Sequence, residues 1–415
     1  MTGEVSTKKI LLLIGLISIA VLIPAIIWND LNFSFFLGLL FDDAKEFAYK
    51  GTIVSDFMPI GYSGYLGACL KIAGLGGIPA CQIPIYIGIM LVVFWFLRAG
   101  GARGILLILG FLVTVFHPIL ILNIWRIHDG NLTALLILGF LTAGISFLRF
   151  SVGDGSAFGG RNGWSIFFLG IFAGLLFTIR ANTILLVLPA LLLFFKKDEG
   201  GKIIYFWKSA FLLVSVMAVV FMTVNIALKQ KPFFFPQYGF YNFFAGANEH
   251  ASKYLIQDYG GENSVKEALR ARGFFSIKTY GDFLTFPPEK YKEFALDYIK
   301  GNPVEYVKLA GLKFFTLLRP GYRAVQDFRW FSLDGLKRFS KIIFAAPFFI
   351  WIFFVVKTRE KFFEKENLLV FLTIVLYLLP FLIANADPRY RFPLDIIFIA
   401  DSFRRAGRLP FFSKG

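Results

Sequence analysis

The stretch 203-IIYFWKSAFLLVSVMAVVFMTVNIAL-228 decides the class of this chain: 26 residues with a single charge, Lys208. About 20 apolar residues wound as a helix cross the hydrocarbon core of a bilayer, so this run reads as a membrane span. Similar runs lie on both sides of it. They are Ile10–Trp28, Ile83–Leu97, Gly104–Ile124, Leu132–Leu148, Trp164–Ile179, Ala181–Phe195, Lys341–Val356, Leu368–Ala384 and Phe392–Phe403. The fifth and sixth in chain order are separated only at Arg180, and the last is short and carries Asp395 and Asp401. Hydrophobic residues make up 57% of the 415, including 53 Phe, against about 45–50% in soluble domains. The expected fold is an all-α polytopic membrane protein of about ten transmembrane helices with a small non-cytoplasmic domain. Ile10–Trp28 follows Lys8 and Lys9 and reads as a retained span, because no small-residue cleavage site comes after it.

The formal net charge is +16. On a soluble protein this would point to nucleic acid. Here the basic residues fall in short loops between apolar runs, which excludes that reading. With a cytoplasmic N-terminus, the inside receives Arg98, Arg103, Arg149, Arg161, Lys196, Lys197, Lys357, Lys361, Arg404, Arg405 and Arg408, as the positive-inside rule expects. Both termini are then cytoplasmic. The basic excess suits anionic headgroups or a phosphate-bearing lipid substrate.

The opposite face receives two long segments, 29–82 and 229–340. The chain divides into an N-terminal transmembrane module (1–228), an external loop domain (229–340) and C-terminal transmembrane helices (341–415). The middle segment is too long for a bare connector. Its stretch Pro303–Leu318, where Lys308 and Lys313 interrupt apolar residues, reads as an amphipathic surface helix or as a cap of the external domain. Cys69 and Cys81 read as buried thiols, and no metal site is visible among the Cys and the three His.

Asp42 and Asp43 stand just past the first run, where the chain leaves the membrane. A carboxylate pair at that depth is costly unless solvated, paired or put to use. The topology gathers other polar groups on the same side: Glu46, Asp56, Arg126, His128, Asp129, Arg180, Tyr241, Asn242, Asn248, Asp387, Arg389, Tyr390 and Arg391. A carboxylate can take the proton of an incoming hydroxyl. Arginines can hold a phosphate through paired N–H donors and stabilise it as it leaves. The reaction implied moves a sugar from a polyprenyl-phosphate carrier to an acceptor hydroxyl. A nucleotide-sugar donor fits less well, because such donors are usually cytoplasmic.

Five stretches carry a resemblance. They are Phe41-Asp42-Asp43-Ala44-Lys45-Glu46-Phe47-Ala48-Tyr49; Pro59-Ile60-Gly61-Tyr62; Gly239-Phe240-Tyr241-Asn242 with Gly246-Ala247-Asn248; Asn302-Pro303; and Asp387-Pro388-Arg389-Tyr390-Arg391-Phe392-Pro393. In this order the chain resembles the C-type (GT-C) membrane glycosyltransferases, near the protein mannosyltransferases and the lipid A aminoarabinose transferases. It departs from them in carrying Asp43 where the second acid is often Glu, and in a short external domain. The resemblance implies that one acid of the pair is the base, with Asp42 favoured as the match to the leading Asp and Asp43 assisting, and that the anomeric centre inverts. It makes Arg389, Arg391 and Arg180 candidates for the lipid phosphate, with Lys308 and Lys313 adding charge. Asp56, Tyr62, Arg126, His128, Asp129, Tyr241, Asn242, Asn248 and Tyr390 are further candidates for substrate contact.

No cofactor is expected. Asp42 and Asp43 could help hold a divalent cation, but ligands are too few to predict one. The expected partners are the bilayer, a polyprenyl-phosphate sugar, and a lipid, glycan or protein acceptor, in a bacterial or archaeal cell membrane. Plainer roles compete: the acids as helix caps, Arg389 and Arg391 as headgroup anchors, Arg180 as a tight turn, and His128-Asp129 as turn and cap. Two other functions share the basic mouth. A transporter or flippase of lipid-linked sugars would show paired repeats and broken midplane helices, and no repeat is evident. A glycan polymerase or ligase would use pyrophosphate-linked donors.

Overall fold

The computed structural model describes residues 35–124, 128–150, 161–197, 203–257, 261–276, 280–318 and 334–409, with Leu12, Gly15 and Leu16 besides. The rest of the expected first span lies outside the described residues, as does Arg126. The chain runs through α1 (Phe35–Lys50), α2 (Ile60–Ala73), α3 (Ile78–Ala99), α4 (Gly104–Val115), α5 (Pro118–Leu122), α6 (Gly130–Phe150) and α7 (Arg161–Ile179). A 3-10 segment, Ala181–Leu186, leads into α8 (Val187–Leu192). A small antiparallel hairpin, β1 (Phe195–Lys197) and β2 (Ile203–Tyr205), pairs Lys196 with Ile204. It delivers the chain to α9 (Trp207–Lys229). Six helices follow: α10 (Tyr238–Gly246), α11 (Ala251–Gln257), α12 (Gly261–Ala271), α13 (Tyr280–Thr285), α14 (Pro288–Gly301) and α15 (Pro303–Leu318). The chain ends with α16 (Asp334–Lys357), α17 (Lys365–Ile383), a 3-10 turn at Pro388–Arg391, and α18 (Phe392–Ala406).

Among the described residues four stretches are long and apolar enough to cross a membrane: Leu75–Ala99, Gly130–Arg149, Trp207–Lys229 and Lys365–Ile383. Gly104–Val115, Gly163–Ile179, Ala181–Leu192 and Ala345–Lys357 are apolar but shorter. The run expected over Gly104–Ile124 stops as a helix at Val115, since Pro118 has no N–H to give and pushes the residue before it out of the α region. The run beginning at Ile203 spends its first three residues in the hairpin, so its helix starts at Trp207. The run expected over Ala181–Phe195 is a 3-10 turn and a six-residue helix.

The core is centred on α6, 72% of whose central window is buried, whereas α9 buries only 22% and turns Phe211, Val214, Val219 and Ile226 outward. An outward apolar face of that kind suits lipid. Without a hydrophobic drive between helices in lipid, close association depends on small residues. Here α7 presents Gly170 and Gly174 to α9. A Cβ on Gly170 would lie 2.8 Å from Val216 Cβ, and one on Gly174 2.8 Å from the Met217 carbonyl oxygen. On the other side α2 closes on α1 at Gly67, where a Cβ would lie 2.6 Å from the Ala44 carbonyl oxygen.

Helix α18 is buried nearly all round and lies against α3, α4, α6 and α16. Its acids are paired: Asp395 with Arg391 at 2.9 Å, and Asp401 with Arg404 at 2.6 Å and Arg405 at 2.7 Å. Trp351 donates its indole N–H to Asp401 at 2.8 Å. Arg404 and Arg405, expected among the short-loop charges of the cytoplasmic side, belong to the helix and are fully enclosed. Spacings of three and four residues let both guanidinium groups fold back onto the Asp401 carboxylate on one helix face.

Candidate functional site

A cavity of about 260 Å³ opens where the ends of α7, α10 and α17 approach the loop after α1. The helical break after α7 places Arg180 there in extended backbone, φ −142° and ψ 102°. Asp129 receives it in a bidentate pair, Nε to Oδ2 at 2.7 Å and Nη2 to Oδ1 at 2.9 Å. The guanidinium also lies over the Tyr390 ring, 5.3 Å from its centroid, and near Phe381 at 6.0 Å. His128 sits 3.5 Å from the same carboxylate and accepts the Gly130 N–H on Nδ1 at 2.9 Å. The wall therefore carries a positive group held in one orientation by an acid and two rings.

The remaining walls come from Leu40, Met58, Pro59, Tyr62, Tyr238, Gly239 and Asn242, with Asn182, Ala384 and Asn385. Tyr62 is buried, and its hydroxyl accepts a hydrogen bond from Gln82 at 3.1 Å. Two lining amides are incomplete: Asn182 Nδ2 and Asn242 Oδ1 have no hydrogen-bond partner. A donor and an acceptor left open on an otherwise aromatic and apolar wall suit a ligand with hydroxyls.

Of the residues singled out from the sequence, Tyr62, His128, Asp129, Arg180, Asn242 and Tyr390 meet in this cavity. The acid pair divides. Asp42 is on the outer face of α1, 67% exposed, paired with Lys45 at 3.3 Å. Asp43 is 5% exposed, one turn along the same helix from the cavity-lining Leu40, and its Oδ2 has no hydrogen-bond partner. Burial pushes the Asp43 carboxyl up to about 7; Lys229 and a hydrogen bond from Ser55 pull it down, and Glu46 and Asp42 push it further up.

The segment behind Asp43 is tied on three sides. Glu46 accepts the Val54 N–H at 2.9 Å, Ile53 donates to the Leu228 carbonyl at 2.8 Å, and Tyr238 donates to the Phe57 carbonyl at 2.9 Å. Lys229, at the end of α9 and 2% exposed, donates to the Val54 carbonyl at 3.2 Å, to the Ser55 carbonyl and to Asp56 Oδ1 at 2.9 Å. Sequence reasoning passed over Lys229. The available signal was a lysine ending the most apolar of the four span-length stretches, where a charge must find a partner or water.

Other candidates serve elsewhere. Arg391 is 3% exposed and donates to the Leu318 carbonyl at 2.8 Å and the Leu317 carbonyl at 3.3 Å, so it closes the end of α15 as well as pairing with Asp395. Lys313 turns inward and donates to the Ile383 carbonyl at 3.1 Å; burial lowers its ammonium to about 7. Lys308 is exposed and pairs with Glu305 at 2.6 Å. Tyr241 is enclosed by Phe57, Tyr238, Phe283 and Tyr291. Asn248 donates to the Phe244 carbonyl at 2.7 Å and accepts from the His250 N–H at 2.8 Å and the Ser264 hydroxyl at 2.9 Å, which makes it a turn fastener. Asp56 is outside the cavity lining, half-exposed and held by Lys229. The Arg389 side chain lies outside the description, as does Arg126. Among the described residues no three His, Cys, Asp or Glu side chains gather closely enough to hold a metal ion.

No family model matches the chain, and no curated protein matches it in sequence. Among solved structures it is similar to the crystal structure of ArnT from Cupriavidus metallidurans bound to undecaprenyl phosphate. The identity is 13% and the TM-score 0.44, over 97% of this chain and 79% of that one. A likeness at that level carries no functional argument.

Proposed function

We propose that this chain is a membrane glycosyltransferase that takes a sugar from a polyprenyl-phosphate carrier, on the non-cytoplasmic face, and passes it to an acceptor hydroxyl. The observation that carries the reading is the buried Asp43 carboxylate, with an oxygen left open, one helical turn from a cavity walled by the oriented Arg180 guanidinium. In this reading Asp43, rather than Asp42, is the general base. The acceptor oxygen attacks the anomeric carbon as its proton passes to Asp43. The bond from that carbon to the phosphate oxygen breaks, and the phosphate leaves with the electron pair toward Arg180. Attack opposite the leaving group inverts the centre. Arg180 spends Nε and one Nη2 hydrogen on Asp129, and Nη1 remains to meet the phosphate. Asn182 and Asn242 take sugar hydroxyls, and Tyr238 offers a ring face.

A carrier of lipid-linked sugars would leave the bond between sugar and phosphate intact, so a covalent transfer product separates the two readings. The test is sugar transfer by the purified protein with a polyprenyl-phosphate sugar. Asp43→Asn should lower turnover by about 10²–10⁴-fold, the range for loss of a general base. Asp42→Asn should cost at most about fivefold, the scale of an exposed ion pair. Equal activity of Asp43→Asn and wild type would remove the proposed base.

A further inference from the structure

The strap between α1 and α2 carries a second observation, which concerns what holds the acid rather than the acid itself. Lys229 is enclosed, yet it is not simply paired. Its ammonium group meets two consecutive backbone carbonyls, Val54 and Ser55, together with Asp56 Oδ1, and it sits 4.5 Å from the Phe234 ring centroid. Three oxygens from one short segment on one cation form a clasp. That segment is the one that lies against Asp43, because Ser55 offers Asp43 its hydroxyl and Val54 is tied to Glu46 on the next turn of the same helix.

We infer that Lys229 is a positioning residue for Asp43: it fixes the 54–56 strap behind that carboxylate and supplies the positive field that keeps it ionised when an acceptor arrives. The inference rests on the reading of Asp43 as the base. Among the described residues the charges acting on Asp43 are Asp42 and Glu46 from its own helix and Lys229 from α9, and Asp56 of the strap is paired with Lys229. Helix α2 meets α1 through Gly67, and its one charged residue, Lys71, is exposed. Lys229 is thus the cation that offsets burial at Asp43. Asp56, which shares Lys229, weakens that offset.

The signs follow. Removing the lysine charge raises the affinity of Asp43 for its proton. Removing the Asp56 charge leaves Lys229 freer to act on Asp43 and takes away an anion, so the affinity falls. The measurement uses the full-length protein in detergent with N,N′-dicyclohexylcarbodiimide, which modifies protonated, enclosed carboxyl groups. Label on Asp43 is read by peptide mass spectrometry across pH, in parallel with the pH profile of sugar transfer. Wild type should show a labelling midpoint near 7. Lys229→Met should move the midpoint up by about one unit, the effect of losing one nearby opposite charge. The acid limb of the transfer profile should move by the same amount. Lys229→Arg should keep the wild-type midpoint, and Asp56→Asn should move it down.

An unmoved midpoint in both Lys229→Met and Asp56→Asn overturns the inference, even if Asp43→Asn is inactive. Should Lys229→Met fail to fold, Asp56→Asn decides alone, because Asp56 is 48% exposed and Asn keeps its size and an oxygen for Lys229. Full transfer activity of Asp43→Asn overturns the base assignment instead, whatever the midpoint does.

Discussion

Asp42 and Asp43 are neighbours in the chain, yet they sit in opposite environments. Successive residues on a helix point about 100° apart, so two adjacent acids can meet different surroundings. Ala44 and Leu40 are buried on α1, and Asp43 shares their side while Asp42 looks out at Lys45. The inward acid has its pKa raised above the ordinary carboxylate range by burial, so it is the proton-free form that disappears as pH falls through about 7. Transfer that depends on this form should be half-maximal near pH 7 and fall tenfold per unit below it, which a pH series of turnover measures. The Arg180–Asp129 pair supports a second prediction. Arg180→Ala takes the bidentate cation from the largely enclosed Asp129 carboxylate, which costs about 3 kcal/mol. Adding Asp129→Asn should recover most of the lost melting temperature and none of the activity, as thermal unfolding and transfer assays on the two variants will show.

At the level of helices, the site depends on how closely pairs of helices can approach. Gly67 lets α2 lie against the Ala44 carbonyl, next to Asp43. Gly67→Ala forces a methyl into that contact and should destabilise by about 1–3 kcal/mol, with a larger fractional loss of activity because α1 must shift. Gly174→Val should likewise lower the melting temperature by parting α7 from α9. Gly239→Ala, where an added Cβ meets nothing within 4 Å, is the matched control and should melt like wild type. Breaks matter as much as contacts. The extended residue at Arg180 falls where the sequence already separates two apolar runs, whereas the turn before Pro118 interrupts a run that hydropathy joins. The first of these breaks delivers the guanidinium to the cavity.

For the whole molecule, the sequence places both acids and Arg180 on the non-cytoplasmic side and the loop around Glu360 inside. Exposed Val54 and Phe363 report on this. With Cys69 and Cys81 replaced, Val54→Cys should react with a membrane-impermeant maleimide in intact cells. Phe363→Cys should react only after permeabilisation. The reverse pattern would invert the protein and sever the proposed site from its lipid-linked donor.

The apolar runs, their breadth and the arginine interrupting Trp164–Phe195 were legible from composition and spacing, because span length and charge cost are local quantities that a window of residues contains. Pro118 is a local signal of the same kind, yet hydropathy alone reads Gly104–Ile124 as one span and the helix stops at Val115. Other features arise only when distant segments meet. Which of Asp42 and Asp43 is enclosed depends on which face of α1 is covered by α2 and by the 54–56 strap. The capture of Arg180 by Asp129, 51 residues earlier, and the turning of Arg391 and Lys313 toward helix ends depend on carbonyls and carboxylates brought near by packing. A buried charge takes whatever partner the fold sets within hydrogen-bond reach, and that partner's distance along the chain leaves no periodic trace in the sequence.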